Sequence, residues 1–260
     1  MLTTVVRPLT SLKSGRAAPV GRTLPVRPAA HAEQVLVTAI LDGRCPAGSN
    51  LPSERELALE LGVTRPTLRE VLKQLDRDGF LTISHGRPTR VNDVLREGGL
   101  NVLASLVRYG GPLPEGFVRN LLEVRLALAP AYARAAVERD PEGTVSLLAE
   151  DRLPADAPGA LASYDWGLHT GLAALSGNPV YGLILNGFAS FYEELACHYF
   201  EREEARRASR NFYANLRSAA RDRDAGAAER RVRAAMLESL ALWAKAETSR
   251  RGKRRKRRRP

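Results

Sequence analysis

The stretch from Leu51 to Asn92, LPSERELALELGVTRPTLREVLKQLDRDGFLTISHGRPTRVN, leaves little freedom in how it folds. Ser53 and Glu56 have the spacing of a capping box, in which the hydroxyl accepts from the third backbone amide and the carboxylate reaches back to the first. Leu57 and Leu61 share the buried face of the helix so started, and Gly62 supplies the left-handed residue that ends it. Thr64 caps a second helix whose first turn tolerates Pro66, because an amide there has no partner to lose. Leu68, Val71, Leu72 and Leu75 form its apolar stripe, while Arg65, Thr67, Arg69 and Lys73 lie on the other face. Two short helices joined over Leu61-Gly62-Val63-Thr64 cross steeply and present the start of the second outward, which is a helix-turn-helix. Phe80–Ile83 and Thr89–Asn92 follow as two strands around His85-Gly86-Arg87-Pro88, a wing tipped by a cation.

The flanks divide the chain further. Residues 1–29 mix four prolines with Gly, Ser, Thr and Arg and lack a helical period, so they read as a flexible leader, either solvated or touching phosphate. Residues 30–92 form the winged domain, opened by a helix over His31–Asp42, and 93–99 (DVLREGG) read as a linker. Residues 100–249 are helical throughout in pattern, as segments Leu100–Tyr109, Glu115–Arg139, Thr144–Glu150, Gly159–Ser176, Val180–Phe200, Glu203–Asp222 and Ala225–Ser249. The like-charged run at 250–260 predicts a disordered basic tail.

Charge separates along the same lines. Residues 1–92 carry 13 Lys/Arg against 8 Asp/Glu, 93–249 carry 18 against 21, and the tail adds nine cations with no acid. Basic ends around a mildly acidic body suit a polyanion partner at the ends. Cys45 and Cys197 lie far apart without CxxC spacing, which predicts neither a disulfide framework nor a zinc site and fits a reducing, cytoplasmic setting. No apolar run approaches the ~20 residues of a membrane span, and no signal-peptide core is present.

The pattern from Leu51 to Leu81 resembles the winged head of GntR-type bacterial regulators. The runs ISHGRPTRVN, GLNVL and SGNPVYGLILNG are similar to the fatty-acid-responsive FadR subfamily within that group, over roughly residues 31–245. The resemblance implies a mainly α fold: a winged helix-turn-helix followed by an antiparallel helical-bundle effector domain. It further implies a homodimer on a palindromic operator in double-stranded DNA, released by long-chain acyl-CoA. Such a regulator represses fatty-acid degradation and can activate unsaturated fatty-acid synthesis. It is not an enzyme and carries no cofactor beyond its effector.

Carried onto this sequence, the DNA contacts fall on Arg55, Thr64, Arg65, Thr67, Arg69, His85, Gly86 and Arg87. The chemistry agrees: Arg suits two-point contact with guanine O6 and N7, Thr and helix N-termini donate to phosphate, and a Gly-flanked cation fits a minor groove. Pro66 stands where a hydroxyl residue is common in the family. Arg125, Ser239 and Trp243 match effector positions, with an ion-pair role open for Arg125 and core packing open for Trp243. Ala235-Met236 replaces the Tyr-Gly pair that approaches the thioester in acyl-CoA-binding relatives.

An alternative within the GntR group is a regulator answering a metal-bound organic acid. Asp165 and His169 lie one helical turn apart, as in relatives that hold a metal with one Asp and three His. The two completing positions here are Tyr213 and Ala235, and two ligands do not close such a site. A nucleophilic enzyme is disfavoured by the absence of a GxSxG elbow or a recognisable Cys/His spacing.

Overall fold

A computed structural model of the chain describes residues 28–109 and 116–257. The chain divides into two compact units, Met1–Leu113 and Pro114–Pro260.

In the first unit, α1 (Pro28–Leu41) leads into α2 (Glu54–Leu61) and α3 (Arg65–Arg77), then β1 (Leu81–Thr82), β2 (Arg90–Val91) and α4 (Asn101–Tyr109). The helix therefore starts at Pro28, inside the expected leader, whose residues 1–27 lie outside the described ones. Leu36, Leu57, Leu68, Leu75, Phe80 and Val91 are fully or almost fully buried together, so the apolar stripes of the three helices and the inward faces of the wing close one core. β1 and β2 pair antiparallel with Leu81 opposite Val91 and Thr82 opposite Arg90. These strands are shorter than the sequence predicts. The buried side chain of Asn92 takes over from the ladder, donating to the carbonyls of Leu81 at 2.9 Å and Gly79 at 3.1 Å and accepting from Thr82 Oγ1 at 2.7 Å.

The expected linker at 93–99 is a fixed turn. Glu97 accepts from the Asp93 amide at 2.9 Å and from Arg90 Nη2 at 2.5 Å. Gly98 packs so closely that a Cβ there would strike the Val94 carbonyl and come within 2.6 Å of Val102 Cγ2. α4, expected to open the C-terminal body, instead belongs to the first unit. Val102 is 3% exposed in its core, and Tyr109 joins α4 to α1 by donating to Glu33 at 3.4 Å.

The second unit is a helical bundle of α5 (Phe117–Arg139), α6 (Pro141–Leu147), α7 (Pro158–Leu175), α8 (Pro179–Asn186), α9 (Ala189–Phe200), α10 (Glu203–Arg221) and α11 (Ala225–Arg257), with a 3-10 turn at Glu150–Arg152. α5 packs on α7 and α11, α7 on α9, and α10 on α6 and α11, around Tyr132, Leu148, Leu161, Leu172, Leu216 and Val232. The single segment expected over 180–200 breaks at Gly187-Phe188 into α8 and α9. The expected disorder from 250 is also corrected, because α11 continues to Arg257. Lys and Arg are good helix formers, and cations suit a helix C-terminus, so a helix already started extends through them. Residues 258–260 lie outside the described ones.

Candidate nucleic-acid interface and ligand cavity

The first unit builds its outward face from two capped helices. At the start of α2, Ser53 Oγ accepts from the Glu56 amide at 3.4 Å and Glu56 accepts from the Ser53 amide at 3.1 Å. These Ser53 hydrogen bonds, side chain first, hold the Glu56 carboxyl below its usual range. Gly62 ends α2 at φ 65°, and Thr64 caps α3 by accepting from the Thr67 amide at 3.3 Å. The two threonine hydroxyls lie 2.9 Å apart, which fixes both at the exposed tip of α3. Arg55, Thr64, Arg65 and Arg69 are exposed and Thr67 is half-buried. Glu54 faces the arginines, with Oε2 2.7 Å from Arg69 Nε and 3.8 Å from Arg65 Nη2. On the wing, His85, Gly86 and Arg87 are exposed. Gly86 has φ 69°, a backbone state that a side chain strains, so glycine suits the tight turn that separates His85 from Arg87.

In the second unit a cavity of about 100 Å³ brings together Arg125, Ser239 and Trp243, the three residues matched to effector positions. Its wall is mostly apolar, including Leu121, Leu128, Trp166, Leu185, Phe188 and Phe191, with Asp165 and His169 also in it. Two nitrogens within this group of residues, Arg125 Nε and Trp243 Nε1, are buried without a hydrogen-bond partner, an arrangement costly unless an acceptor arrives. Ser239 Oγ donates to the Ala235 carbonyl at 2.9 Å and accepts from the Tyr199 hydroxyl at 3.2 Å.

A buried polar network joins four helices, and Arg125, Tyr132, Asp165, His169 and Tyr192 of it also line the cavity. Asp165 Oδ2 accepts from Arg125 Nη2 at 2.6 Å and from the Tyr192 hydroxyl at 2.6 Å, while Oδ1 accepts from Tyr213 at 2.9 Å. His169 contacts Arg125 through Nε2, and its Nδ1 lies 2.6 Å from the Tyr132 hydroxyl. The Arg125 guanidinium also sits over the Tyr192 ring, 5.6 Å from its centre. Arg125 thus combines the two roles left open for it, lining the cavity and pairing a buried carboxylate. The cation facing Asp165 and His169 is that guanidinium. Among the described residues no three His, Cys, Asp or Glu side chains converge as a ligand set.

Ionisation in the network follows from burial and Arg125. Burial alone would raise the Asp165 carboxyl, but Arg125, His169 and the tyrosine hydroxyls outweigh it and hold the group at about 2. Burial and then Arg125 push His169 down to about 3, so the imidazole is neutral. Burial raises the phenols of Tyr132, Tyr192 and Tyr213, which remain protonated donors.

Sequence reasoning assigned no role in a network to its three tyrosines, Tyr132, Tyr192 and Tyr213. They come from α5, α9 and α10 and acquire a common purpose only when the bundle closes. The local signs of the network are the ion-pair role open for Arg125 and the Asp165/His169 spacing, which also raises a metal site that two ligands do not close. Met236 is 3% exposed and packs in the core, and with Ala235 it lines a smaller polar pocket next to the main cavity, shared by Arg125, Asp165 and Ser239.

Residues 92–250 match the family model "FadR C-terminal domain", and residues 28–91 match "Bacterial regulatory proteins, gntR family". A "Fatty acid metabolism regulator protein" of Yersinia enterocolitica is 40% identical over 216 residues, covering 83% of this chain and 90% of that protein. One from Shewanella amazonensis is 42% identical over 221 residues, covering 84% and 91%. Among solved structures, one described as "Lar controls the expression of the Listeria monocytogenes agr system and mediates virulence" is similar with a TM-score of 0.54. It is 16% identical and covers 86% of this chain and 98% of that one, a likeness of fold alone.

Proposed function

This chain belongs to the FadR group of the gntR family of bacterial regulatory proteins, DNA-binding transcription factors rather than enzymes, and on that premise we propose that it regulates fatty-acid metabolism by binding a palindromic operator as a cytoplasmic homodimer and leaving it when long-chain acyl-CoA binds. The reading extends to repression of fatty-acid degradation genes and activation of unsaturated fatty-acid synthesis. Among the described residues no helix is long and apolar enough to cross a membrane.

The observation that carries the effector assignment is the apolar cavity with two unpartnered donors, Arg125 Nε and Trp243 Nε1. An acyl chain matches the wall, and a thioester carbonyl supplies the acceptor that these N–H groups lack. The hydroxyl absent at Ala235 has a neighbour able to substitute for it, since Tyr199 already reaches Ser239 from α9.

On the DNA side, Arg65 and Arg69 enter the major groove, Arg55, Thr64 and Thr67 hold phosphates, and His85, Gly86 and Arg87 take the minor groove. The test is a gel shift on a duplex selected by the protein from a randomised library, titrated with acyl-CoAs of increasing length. Both tryptophans of the chain line the cavity, so intrinsic fluorescence reads binding directly. Long-chain acyl-CoA is expected to change the fluorescence and release the duplex over the same concentrations, with free CoA doing neither. A fluorescence change without release rejects the effector role, and no change with any acyl-CoA rejects the ligand.

A further inference from the structure

We infer that Glu54 is a positioning residue for base reading, which holds Arg69 by its Nε so that the two terminal nitrogens are presented end-on to a guanine. The inference rests on the DNA-binding reading above. Glu54 opens α2, yet its carboxylate is not used within that helix, whose capping carboxylate is Glu56. It reaches across the turn to α3, where Oε2 accepts from Arg69 Nε at 2.7 Å and lies 3.8 Å from Arg65 Nη2. Arg69 and Arg65 are exposed, at 56% and 57% of their side chains, and Glu54 is partly exposed, at 36%. An ion pair this exposed contributes little to stability. An acid on a face that meets phosphate also opposes binding, so its presence there calls for a gain elsewhere.

The geometry supplies one. Guanine offers O6 and N7 side by side, and an arginine meets them through two nitrogens at once. With Nε engaged by Glu54, Arg69 keeps Nη1 and Nη2 as its free pair, and its rotamer is set before DNA arrives. Without Glu54 the same side chain is drawn to the nearest phosphate, a contact that carries no sequence information. Glu54 therefore exchanges general affinity for discrimination.

The experiment compares the full chain with Glu54→Gln, Glu54→Ala, Arg69→Ala and the Glu54→Ala/Arg69→Ala double variant. Each is titrated at one salt concentration against the duplex selected by the wild type and against a scrambled duplex of equal length. Glu54→Gln and Glu54→Ala are expected to bind the scrambled duplex more tightly and to lower the selected-to-scrambled ratio about tenfold, within the discrimination that one bidentate guanine contact supplies. Glu54→Ala in the Arg69→Ala background is expected to leave the ratio where Arg69→Ala alone puts it. Glu54→Gln keeps the shape of the side chain, and its thermal midpoint is expected to match the wild type, which separates positioning from folding. If both variants tighten the two duplexes equally, or the ratio falls just as far without Arg69, Glu54 acts only as a charge or a helix start and the inference is wrong. If the wild type enriches no duplex at all, the DNA-binding reading falls and takes this inference with it.

Discussion

Asp165 and His169 occupy one buried face of α7, and both titrate in a direction that makes the second unit lose stability in acid. The His169 imidazole falls from 6.5 to about 3 through burial and the nearby Arg125. Once unfolded it takes up a proton near 6.5, so its contribution is whole above that pH and declines as pH falls toward 3. Asp165, held at about 2 against 3.8, adds a loss of the same sign that begins below 3.8 and is complete near 2. Well below 6.5 one such proton is worth about 1.4 kcal/mol per pH unit. Urea unfolding at pH 7, 5.5 and 4.5 is expected to show this slope, and His169→Gln, which carries no proton in either state, is expected to be flatter by about one proton. Equal slopes would mean that the imidazole is charged in the fold. On the first unit, Arg65→Ala and Arg69→Ala are each expected to cost about 1–3 kcal/mol of specific binding in matched salt, read by fluorescence anisotropy. The contrast between these sites explains what was legible at this scale. Arg65 and Arg69 declare themselves because helix period and capping place them outward without reference to the rest of the chain. Tyr192 and Tyr213 are ordinary helix residues until Asp165, far from each in sequence, gives them one acceptor, and Tyr132 is one until its hydroxyl meets His169.

Elements were legible where local chemistry sets both ends. The capping box at Ser53, the left-handed Gly62 and the Thr64 cap bound α2 and α3 as the sequence predicts. Where the end depends on tertiary contact, the sequence misleads. Two glycines and several charges at 93–99 have the composition of a loose linker, yet Glu97 clamps Arg90 and Gly98 presses on Val94 and Val102. The glycine serves close approach, not flexibility. Gly98→Ala is therefore expected to force α4 away from the first core and to cost on the order of 1–3 kcal/mol, as overpacking does. Gly99→Ala, with nothing within 4 Å of its added carbon, is the control and is expected to be near neutral. Thermal denaturation of the two variants decides the matter, because a true linker would tolerate both equally.

At the scale of the whole chain the charge pattern was open to reading from the first, since net charge is a sum over residues and needs no fold. What it means physically depends on where the cations end up. The basic side chains of α3 and the wing belong to the surface proposed to read bases, whereas the nine cations from Arg250 onward are a run of one charge with no acid among them. In the proposed reading the first set contributes to affinity and discrimination together, and the second to affinity alone. Each phosphate neutralised on duplex DNA adds about 0.9 to the log–log salt slope. Removing residues 250–260 is accordingly expected to flatten the slope by several of these increments on selected and scrambled duplexes alike, while the ratio between the two affinities stays constant. Anisotropy titrations from about 50 to 200 mM salt, the range over which such contacts lose most of their affinity, measure both quantities in one series. An unchanged slope would remove the end of the chain from the DNA, and a changed ratio would give it a part in choosing the sequence. The division of labour proposed here requires the slope to move and the ratio to hold.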